Sequence, residues 1–416
     1  MSHWTKKLFF RTLGSFKHGS LELVCPGQSY EFGNPGALPR ATVAIHDEAF
    51  FKRAVLGGDT GLAEAYMDGL WSSPDLTSVI RLGVRNLNAL ESEHRLLSFG
   101  QRILDDVRHR LRANNLTGSR KNIEAHYDLS NDFFRLFLDE KMMYSSAIYR
   151  NEDDTLEQAQ IEKIDRICRK LRLAPGDHVL EIGCGWGAFA EHAVNNYGVK
   201  LTATTISRQQ YEHCTELFKN LNGHAELLFD DYRHLNGQYD KIVSIEMFEA
   251  VGYEFYDQFF AACDRLLKPD GVMLMQAITM NEQKFEAYRK QTDFIQKHIF
   301  PGSELASVSG ILQSLARVTK LSLYHTEDIG THYARTLAEW RKRFNNQWDD
   351  ARALGFDDRF LRMWDYYFAY CEGAFLERHV GDVQLILAKT GTQRPLYGEP
   401  WGVKSLQILS CLEAKN

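Results

Sequence analysis

The run Val179-Leu180-Glu181-Ile182-Gly183-Cys184-Gly185-Trp186-Gly187 has the residue types and spacing best suited to holding a ligand. Glycines at alternate positions beyond an apolar strand let the chain turn sharply and admit a ligand against backbone atoms where a Cβ would clash. Glu181, just ahead of them, sets a carboxylate where it can orient a cationic group. A bare tight turn is the plainer reading, but acid, strand, glycines and following helix occurring together favour a binding site. Phosphate loops fit less well, because no Gly-Lys-Ser/Thr follows and the spacing is not Gly-x-Gly-x-x-Gly. A second acid, Glu249, follows the apolar run Lys241 to Ile245. It is either an exposed loop acid or a group presented at a strand end, where open α/β sheets bind ligands.

Such a turn needs a strand before it and a helix after it. Asp177 to Ile182 predicts that strand, Trp186 to Asn196 the helix and Lys200 to Ile206 the next strand, which makes a βαβ unit. Glu226 to Leu228, Lys241 to Ile245, Gly271 to Ala277, Lys320 to Tyr324 and Val383 to Ala388 read as further strands. Helices are expected at Thr155 to Leu171, Tyr256 to Leu267 and Tyr333 to Asn345, with a short capped one at Ser130 to Phe134. An insert at about 281–318, containing Phe300-Pro301-Gly302, interrupts the alternation and is placed to cover the crevice. Before all this, Ser20 to Val24 and Ala41 to His46 alternate like strands between tight turns, and helical patterns with glycine breaks run from Asp47 through Leu76 to Leu97 and Ile103 to Leu111. A mixed N-terminal domain over 1–112, a linker at Arg112 to Lys121 and an α/β domain over 113–416 follow.

The 416 residues carry a net charge of -6, with 44% hydrophobic and 25% charged residues, a composition that fills ordinary globular cores. The acidic balance gives no reason to expect nucleic acid as a partner. Seven scattered cysteines argue against a disulfide framework, and no metal-ligand spacing appears among cysteines and histidines, so no metal is expected. No apolar run approaches the roughly 20 residues that span a bilayer, and no secretory signal is expected. The chain therefore reads as cytoplasmic. Leu8-Phe9-Phe10 beside Lys6, Lys7 and Arg11 forms either an apolar wedge for a membrane surface or an amphipathic helix packed on its own domain.

The glycine turn resembles motif I of class I methyltransferases that use S-adenosylmethionine. The resemblance is closer still at His126 to Phe134, Met143-Tyr144-Ser145-Ser146-Ala147, Thr205-Ile206-Ser207 with Gln210, Asp231-Tyr232-Arg233, Phe248-Glu249-Ala250-Val251-Gly252, Phe300-Pro301-Gly302, and Tyr366-Tyr367 with Gly373-Ala374-Phe375. Together these resemble the cyclopropane-fatty-acyl-phospholipid synthase family, which includes the mycolic acid cyclopropane synthases. That resemblance implies a Rossmann-like, seven-stranded α/β methyltransferase domain with Val383 to Ala388 in an antiparallel hairpin, and a smaller mixed N-terminal domain. It implies S-adenosylmethionine as cofactor, an unsaturated phospholipid as acceptor, peripheral contact with the inner face of the membrane, and a homodimer as an available assembly.

Residue by residue, the resemblance assigns Tyr144, Ser145, Glu181, Gly183, Gly185, Gly187, Thr205, Ser207, Gln210 and Asp231 to the cofactor. Ser207 reads equally as a helix cap, and Trp186 as a cover for adenine or a core residue. Methyl transfer to one alkene carbon leaves a cation on its neighbour, which aromatic faces stabilise by about 1–2 kcal/mol when desolvated. Tyr333, Tyr366, Tyr367, Phe248 and Phe294 are the candidates for this, each also readable as core. The family's proton acceptor is a bound bicarbonate, and the resemblance matches Glu249 and Tyr333 to its glutamate and tyrosine and Ile278 to a backbone contact. This chain departs from the pattern at three positions: Ser146 for a cysteine, Gln276 for a bicarbonate-contacting histidine, and Ala250 for another histidine. Glutamine cannot charge-balance an anion as an imidazolium does. Ring closure to a cyclopropane is the leading expectation, with a methyl-branched or methylene product, or another methyl acceptor, as alternatives.

Overall fold

A computed structural model describes residues 2–88, 90 and 129–392. The C-terminal unit is a seven-stranded sheet in which β5 (His178–Ile182), β6 (Lys200–Thr204), β7 (Ala225–Leu228), β8 (Tyr239–Ile245) and β9 (Leu267–Met280) run parallel. β11 (Val380–Lys389) runs antiparallel to both its neighbours, β10 (Leu321–Asp328) and β9, but residues 329–379 and three helices join β10 to β11, so the expected antiparallel strand is present without a hairpin turn; the order is β10-β11-β9-β8-β5-β6-β7. Strand order reverses beside β5, so a crevice opens beyond its carboxyl end, where the Gly183 to Gly187 turn stands. The strands read as continuous buried runs because helices cover both faces.

The flanking helices start where their caps dictate. α5 (Leu156–Leu171) is opened by a capping box: Thr155 accepts from the Gln158 backbone and Gln158 accepts from the Thr155 N–H at 2.9 Å, a pairing of about 1 kcal/mol. α4 (Asn131–Arg135) is capped by Ser130 and α7 (Arg208–Phe218) by Ser207. α6 (Ala188–Tyr197) follows the glycine turn directly. α8 (Tyr256–Leu266) and α10 (Val308–Val318) pack against each other, Ser314 and Arg317 both bonding Asp257. Of the expected insert, the stretch before α10 holds α9 (Glu282–Tyr288) and a π-helical turn (Ile295–Ile299) that line the crevice, whereas α10 belongs to the layer flanking the sheet.

The N-terminal unit has α1 (Ser2–Gly14), a four-stranded sheet in the order β2-β1-β3-β4, α2 (Ala49–Met67) and α3 (Leu76–Arg85). β1 (Ser20–Cys25) and β3 (Arg40–Ile45) lie where alternation placed them, while β2 (Gln28–Gly33) and β4 (Trp71–Ser72) were not foreseen, β2 being largely exposed and β4 only two residues long. α2 kinks at Gly58, whose φ of 59° and ψ of -140° suit glycine alone. The proposed linker, Arg112 to Lys121, and the helix expected at Ile103 to Leu111 lie outside the described residues.

Two C-terminal helices tie the units together. α11 (Gly330–Asn346) and α13 (Asp358–Leu376), separated by the short α12 (Trp348–Ala353), share one aromatic core with α2, α3 and α4; no helix was expected over α13. α13 is apolar on most of its circumference, so it lacks a one-sided 3.6-residue stripe to betray it. Gly373 lets α3 approach: a Cβ there would sit 2.8 Å from Ile80 Cγ2. Tyr66 donates to Asp365 at 2.5 Å, Thr77 to Glu372 at 2.8 Å, and Arg81 and Arg85 both hold Glu377.

Of the two readings of the N-terminal run, the packed helix is the one realised. Phe9 meets Phe50 and Phe51 edge-on at 5.2 and 5.6 Å, and Phe10 meets Tyr30 and Phe32 at 4.7 and 5.5 Å. The exposed face of α1 carries Trp4, Lys7 and Arg11 instead.

Candidate active site

A cavity of about 1600 Å³ runs from the glycine turn, past the ends of β8 and β9, to α13 and the inner sides of α1 and α2. Its cofactor end is built locally. Gly183, Gly185 and Gly187 have φ of 82°, 53° and 85°. A Cβ on Gly183 would strike Met247 Cγ at 2.7 Å and one on Gly187 would strike Leu217 at 2.9 Å, but one on Gly185 meets nothing within 4 Å. The first and third glycines serve packing, and the second keeps backbone open to the cavity.

Glu181 is 3% exposed, its Oε2 has no hydrogen-bond partner, and burial holds its carboxyl well above the usual range. A buried carboxylate oxygen without a donor, facing an open backbone cradle, suits a ligand that brings N–H groups or positive charge. Thr205 donates to Gln210 Oε1 at 2.8 Å and accepts from the Ser207 N–H at 3.1 Å, while Ser207 caps α7; all three line the cavity. Ser207 is thus a helix cap that also faces the cavity. Asp231 also lines it, its two oxygens already held by Arg233 at 2.8 and 2.7 Å. Burial pushes Asp231 up, but the Arg233 bonds prevail and keep it below the usual range. Ser145 accepts from the ammonium of Lys163 at 2.6 Å, and Tyr144 donates to Tyr367 at 3.2 Å. Trp186 bonds Asn131 at 2.9 Å, packs on Phe134, and also lines the cavity.

The second end assembles distant segments around a residue not singled out in the sequence. Glu246, at the end of β8, has φ of 48°, uncommon for a residue with a Cβ. Its Oε1 accepts from the Ser146 N–H at 2.8 Å and from Gln276 Nε2 at 2.7 Å; its Oε2 accepts from the Tyr333 hydroxyl at 2.8 Å. Hydrogen bonds to a charged group contribute about 1.5–3 kcal/mol each, enough together to offset much of the burial cost of a carboxylate. Tyr333, matched with Glu249 to the residues around bicarbonate, donates its hydroxyl to Glu246. Glu249 instead accepts from the Ile278 N–H at 2.5 Å, its Oε2 has no partner, and burial and the neighbouring Glu246 charge push its pKa up to about 8.

Gln276 and Ser146 are wholly buried and stand behind Glu246. Gln276 also bonds Asp382 Oδ2 at 3.1 Å and accepts from Gln384 at 2.9 Å, and Gln384 in turn accepts from Lys170. Ser146 acts through its backbone, its hydroxyl being turned to the Ala147 carbonyl. Lys163, 1% exposed on α5, was also missed; burial lowers its pKa, while Glu246, Asp139, Asp382 and Glu181 oppose that. Of the candidate aromatics, Tyr333, Tyr366 and Tyr367 line the cavity. Phe248 sits in the core beneath the sheet against Tyr256 and Phe259, and Phe294 packs behind Tyr366, so both are core residues.

The sequence profile of the mycolic acid cyclopropane synthetase family matches residues 114–385. The chain belongs to that family. A tuberculostearic acid methyltransferase of Mycobacterium tuberculosis is 37% identical over 85% of this chain and 84% of its own length. A cyclopropane-fatty-acyl-phospholipid synthase of Escherichia coli is 37% identical over 85% of this chain and 89% of its own. Among solved structures, a cyclopropane synthase of Mycobacterium tuberculosis superposes with a TM-score of 0.61 at 34% identity, covering 65% of this chain and 98% of that one. A coclaurine N-methyltransferase reaches the same TM-score at 19% identity and shares the fold. The protein is thus an S-adenosylmethionine-dependent C-methyltransferase with a Rossmann-like domain, and the unpartnered Glu181 oxygen and open Gly185 backbone fit that cofactor.

Proposed function

We propose that this enzyme adds the S-adenosylmethionine methyl group to the double bond of an unsaturated phospholipid acyl chain and closes a cyclopropane. The observation that carries this is the continuity of the cavity from the polar cofactor end to an aromatic and aliphatic end lined by Tyr366, Tyr367, Phe375, Phe9 and Leu8. An apolar channel of that composition suits an acyl chain and keeps water from a cation. When bound, the cofactor supplies an electrophilic methyl carbon. Glu181 and the Thr205, Ser207, Gln210 group orient it, and the tyrosine faces line the path of the alkene. Bicarbonate, expected from the resemblance, would find Tyr333, Ser146, Gln276 and Ile278 already donating to Glu246 and Glu249. Purified protein incubated with methyl-deuterated cofactor and unsaturated phospholipid vesicles tests the reading. Ring closure keeps two of the three deuteriums; a product with all three excludes the cyclopropane, and no labelled lipid excludes the acceptor.

Action at the inner membrane surface as a peripheral protein, and assembly as a homodimer, are parts of the same proposal. Support for membrane contact comes from α1 and α2. Trp4 and Leu56 are 46% and 38% exposed, Lys7 and Arg11 share the Trp4 face of α1 at three- and four-residue spacing, and Leu8, Phe9 and Val55 beside them line the cavity. Apolar residues with basic neighbours favour an anionic bilayer surface. Trp4→Ala with Lys7→Glu and Arg11→Glu is expected to reduce co-sedimentation with anionic vesicles severalfold, and unchanged co-sedimentation would remove this face from the proposal. Sedimentation equilibrium tests the dimer, which a monomer at all concentrations would exclude.

A further inference from the structure

Three distant chain segments converge on one carboxylate. The Ser146 N–H, the Gln276 amide and the Tyr333 hydroxyl all donate to Glu246, at 2.8, 2.7 and 2.8 Å. Its own N–H is pinned to the Gln276 carbonyl at 2.8 Å, which fixes the left-handed backbone that turns the side chain toward the cavity. These donors include the tyrosine and the glutamine that the family resemblance places around bicarbonate. With Glu246 among them, a second anion would find its donors taken and two carboxylates facing it. The residues present do not fit bicarbonate.

We propose that the Glu246 carboxylate is itself the acceptor of the proton lost in ring closure, built into the chain in place of a bound anion. This rests on the lipid C-methyltransferase reading above. The alkene π pair bonds the methyl carbon, and the carbon–sulfur bond breaks with its pair left on sulfur, leaving a cation on the neighbouring acyl carbon. A proton then passes from the transferred methyl to the Glu246 carboxylate. The freed C–H pair forms the carbon–carbon bond that closes the ring. Glu246 becomes a carboxylic acid and returns its proton to water once product leaves.

The groups facing Glu246 suit that role. Burial raises the Glu246 carboxyl, and the Ser146, Tyr333 and Gln276 bonds and the Lys163 side chain on α5 oppose that rise, while Glu249 on the same turn and Asp382 on β11, which hydrogen-bonds Glu246, are held toward their neutral forms by burial and by Glu246. Tyr333 on α11 is held protonated by burial and the same charge, so it stays a donor. Of the carboxylates that line the cavity here, Glu246 has three donors to support its negative charge and Glu249 has one. Glu249, pushed up to about 8, is a poor acceptor at neutral pH.

The test uses the full-length enzyme, unsaturated phospholipid vesicles and methyl-deuterated cofactor, in carbon dioxide-free buffer and in buffer with added bicarbonate. Wild-type turnover is expected to be the same in both. Glu246→Gln is expected to lower kcat by about 10²-fold or more, the range of a positioned general base, with S-adenosylhomocysteine affinity unchanged by calorimetry. Glu246→Gly, which relieves the positive φ and clears the donors, is expected to regain activity with formate or bicarbonate. Wild-type turnover that collapses without bicarbonate, a Glu246→Gln enzyme with normal kcat, or a Glu246→Gly enzyme that binds cofactor but is rescued by neither anion would each overturn the proposal. A wild type that labels no lipid in either buffer overturns the lipid reading, and this one with it.

Discussion

The turn after β5 and the turn after β8 lie against each other, with Met247 filling the space a Gly183 side chain would need. They solve opposite problems. The first is built by leaving things out: three glycines, a carboxylate oxygen without a donor, and backbone open where Gly185 stands. The second is built by filling in: Glu246 accepts the strain of a left-handed φ so that its own side chain occupies the donors of three other segments. A site for a large ligand is thus shaped by small residues near each other in sequence. A site for a proton is shaped by one charged residue and its distant partners.

The largest expected effect breaks the first turn. Gly185→Trp projects its ring into the cavity, since no protein atom stands within 4 Å of the new Cβ. S-adenosylhomocysteine binding by calorimetry is expected to vanish while thermal unfolding shifts by only the cost of a left-handed residue, about 1–2 kcal/mol. Retained binding would mean that the cofactor does not approach this backbone.

The second turn is more exposed to loss of a partner than to loss of space. Tyr333→Phe leaves Glu246 Oε2 without its hydroxyl donor. Loss of a hydrogen bond to a charge, about 1.5–3 kcal/mol, predicts a fall in kcat of about 10- to 100-fold with cofactor affinity intact. Equal loss of kcat and cofactor affinity would instead point to general disruption of the cavity.

The two turns also differ in what a sequence reveals about them. Gly183, Gly185, Gly187, Thr205, Ser207 and Gln210 fall within 28 consecutive residues, 183 to 210, and the strand-turn-helix pattern announces them. Glu246 is visible as an acid just past the strand ending at Ile245, the same signal that drew attention to Glu249, but nothing local says that Ser146, Gln276 and Tyr333 will meet there. Read alone, Gln276 is a lost imidazole; in the fold it is the amide that positions Glu246. Lys163 hides similarly, because on an amphipathic helix a lysine reads as solvent-facing until Ser145 is found to cover it. The seven strands of the sheet were legible because buried runs and turn residues are local, whereas the antiparallel direction of β11 came from the family resemblance, and α13 was not legible because its apolar surface is nearly continuous.

A smaller effect sharpens the charge assignment. The folded protein holds a proton on Glu249 up to about pH 8, whereas the unfolded chain releases it near a pKa of about 4.3. The folded state therefore binds more protons between those values, and this group's contribution to stability falls as pH rises through that window. Glu249→Gln, with nothing to ionise, removes that slope. Urea unfolding at intervals from pH 5 to pH 8 is expected to show wild type losing stability relative to the variant, and parallel curves would mean that Glu249 is ionised throughout.

The smallest expected effect concerns Ser146, where this chain has a hydroxyl in place of a thiol. Its side chain is wholly buried, and its hydroxyl is turned away from Glu246 to the Ala147 carbonyl at 3.1 Å. What reaches Glu246 is the backbone N–H, at 2.8 Å, and every residue but proline supplies one. Ser146→Ala keeps that N–H and removes only a local hydroxyl-to-carbonyl bond, whose net worth is about 1 kcal/mol of stability. Turnover on unsaturated phospholipid is therefore expected to stay within about twofold of wild type, since a tenfold change requires about 1.4 kcal/mol in the barrier itself. A tenfold loss of kcat at unchanged cofactor affinity would show that the hydroxyl takes part in the proton's path, and would move the site's chemistry from one carboxylate with backbone support to a shared hydroxyl–carboxylate pair.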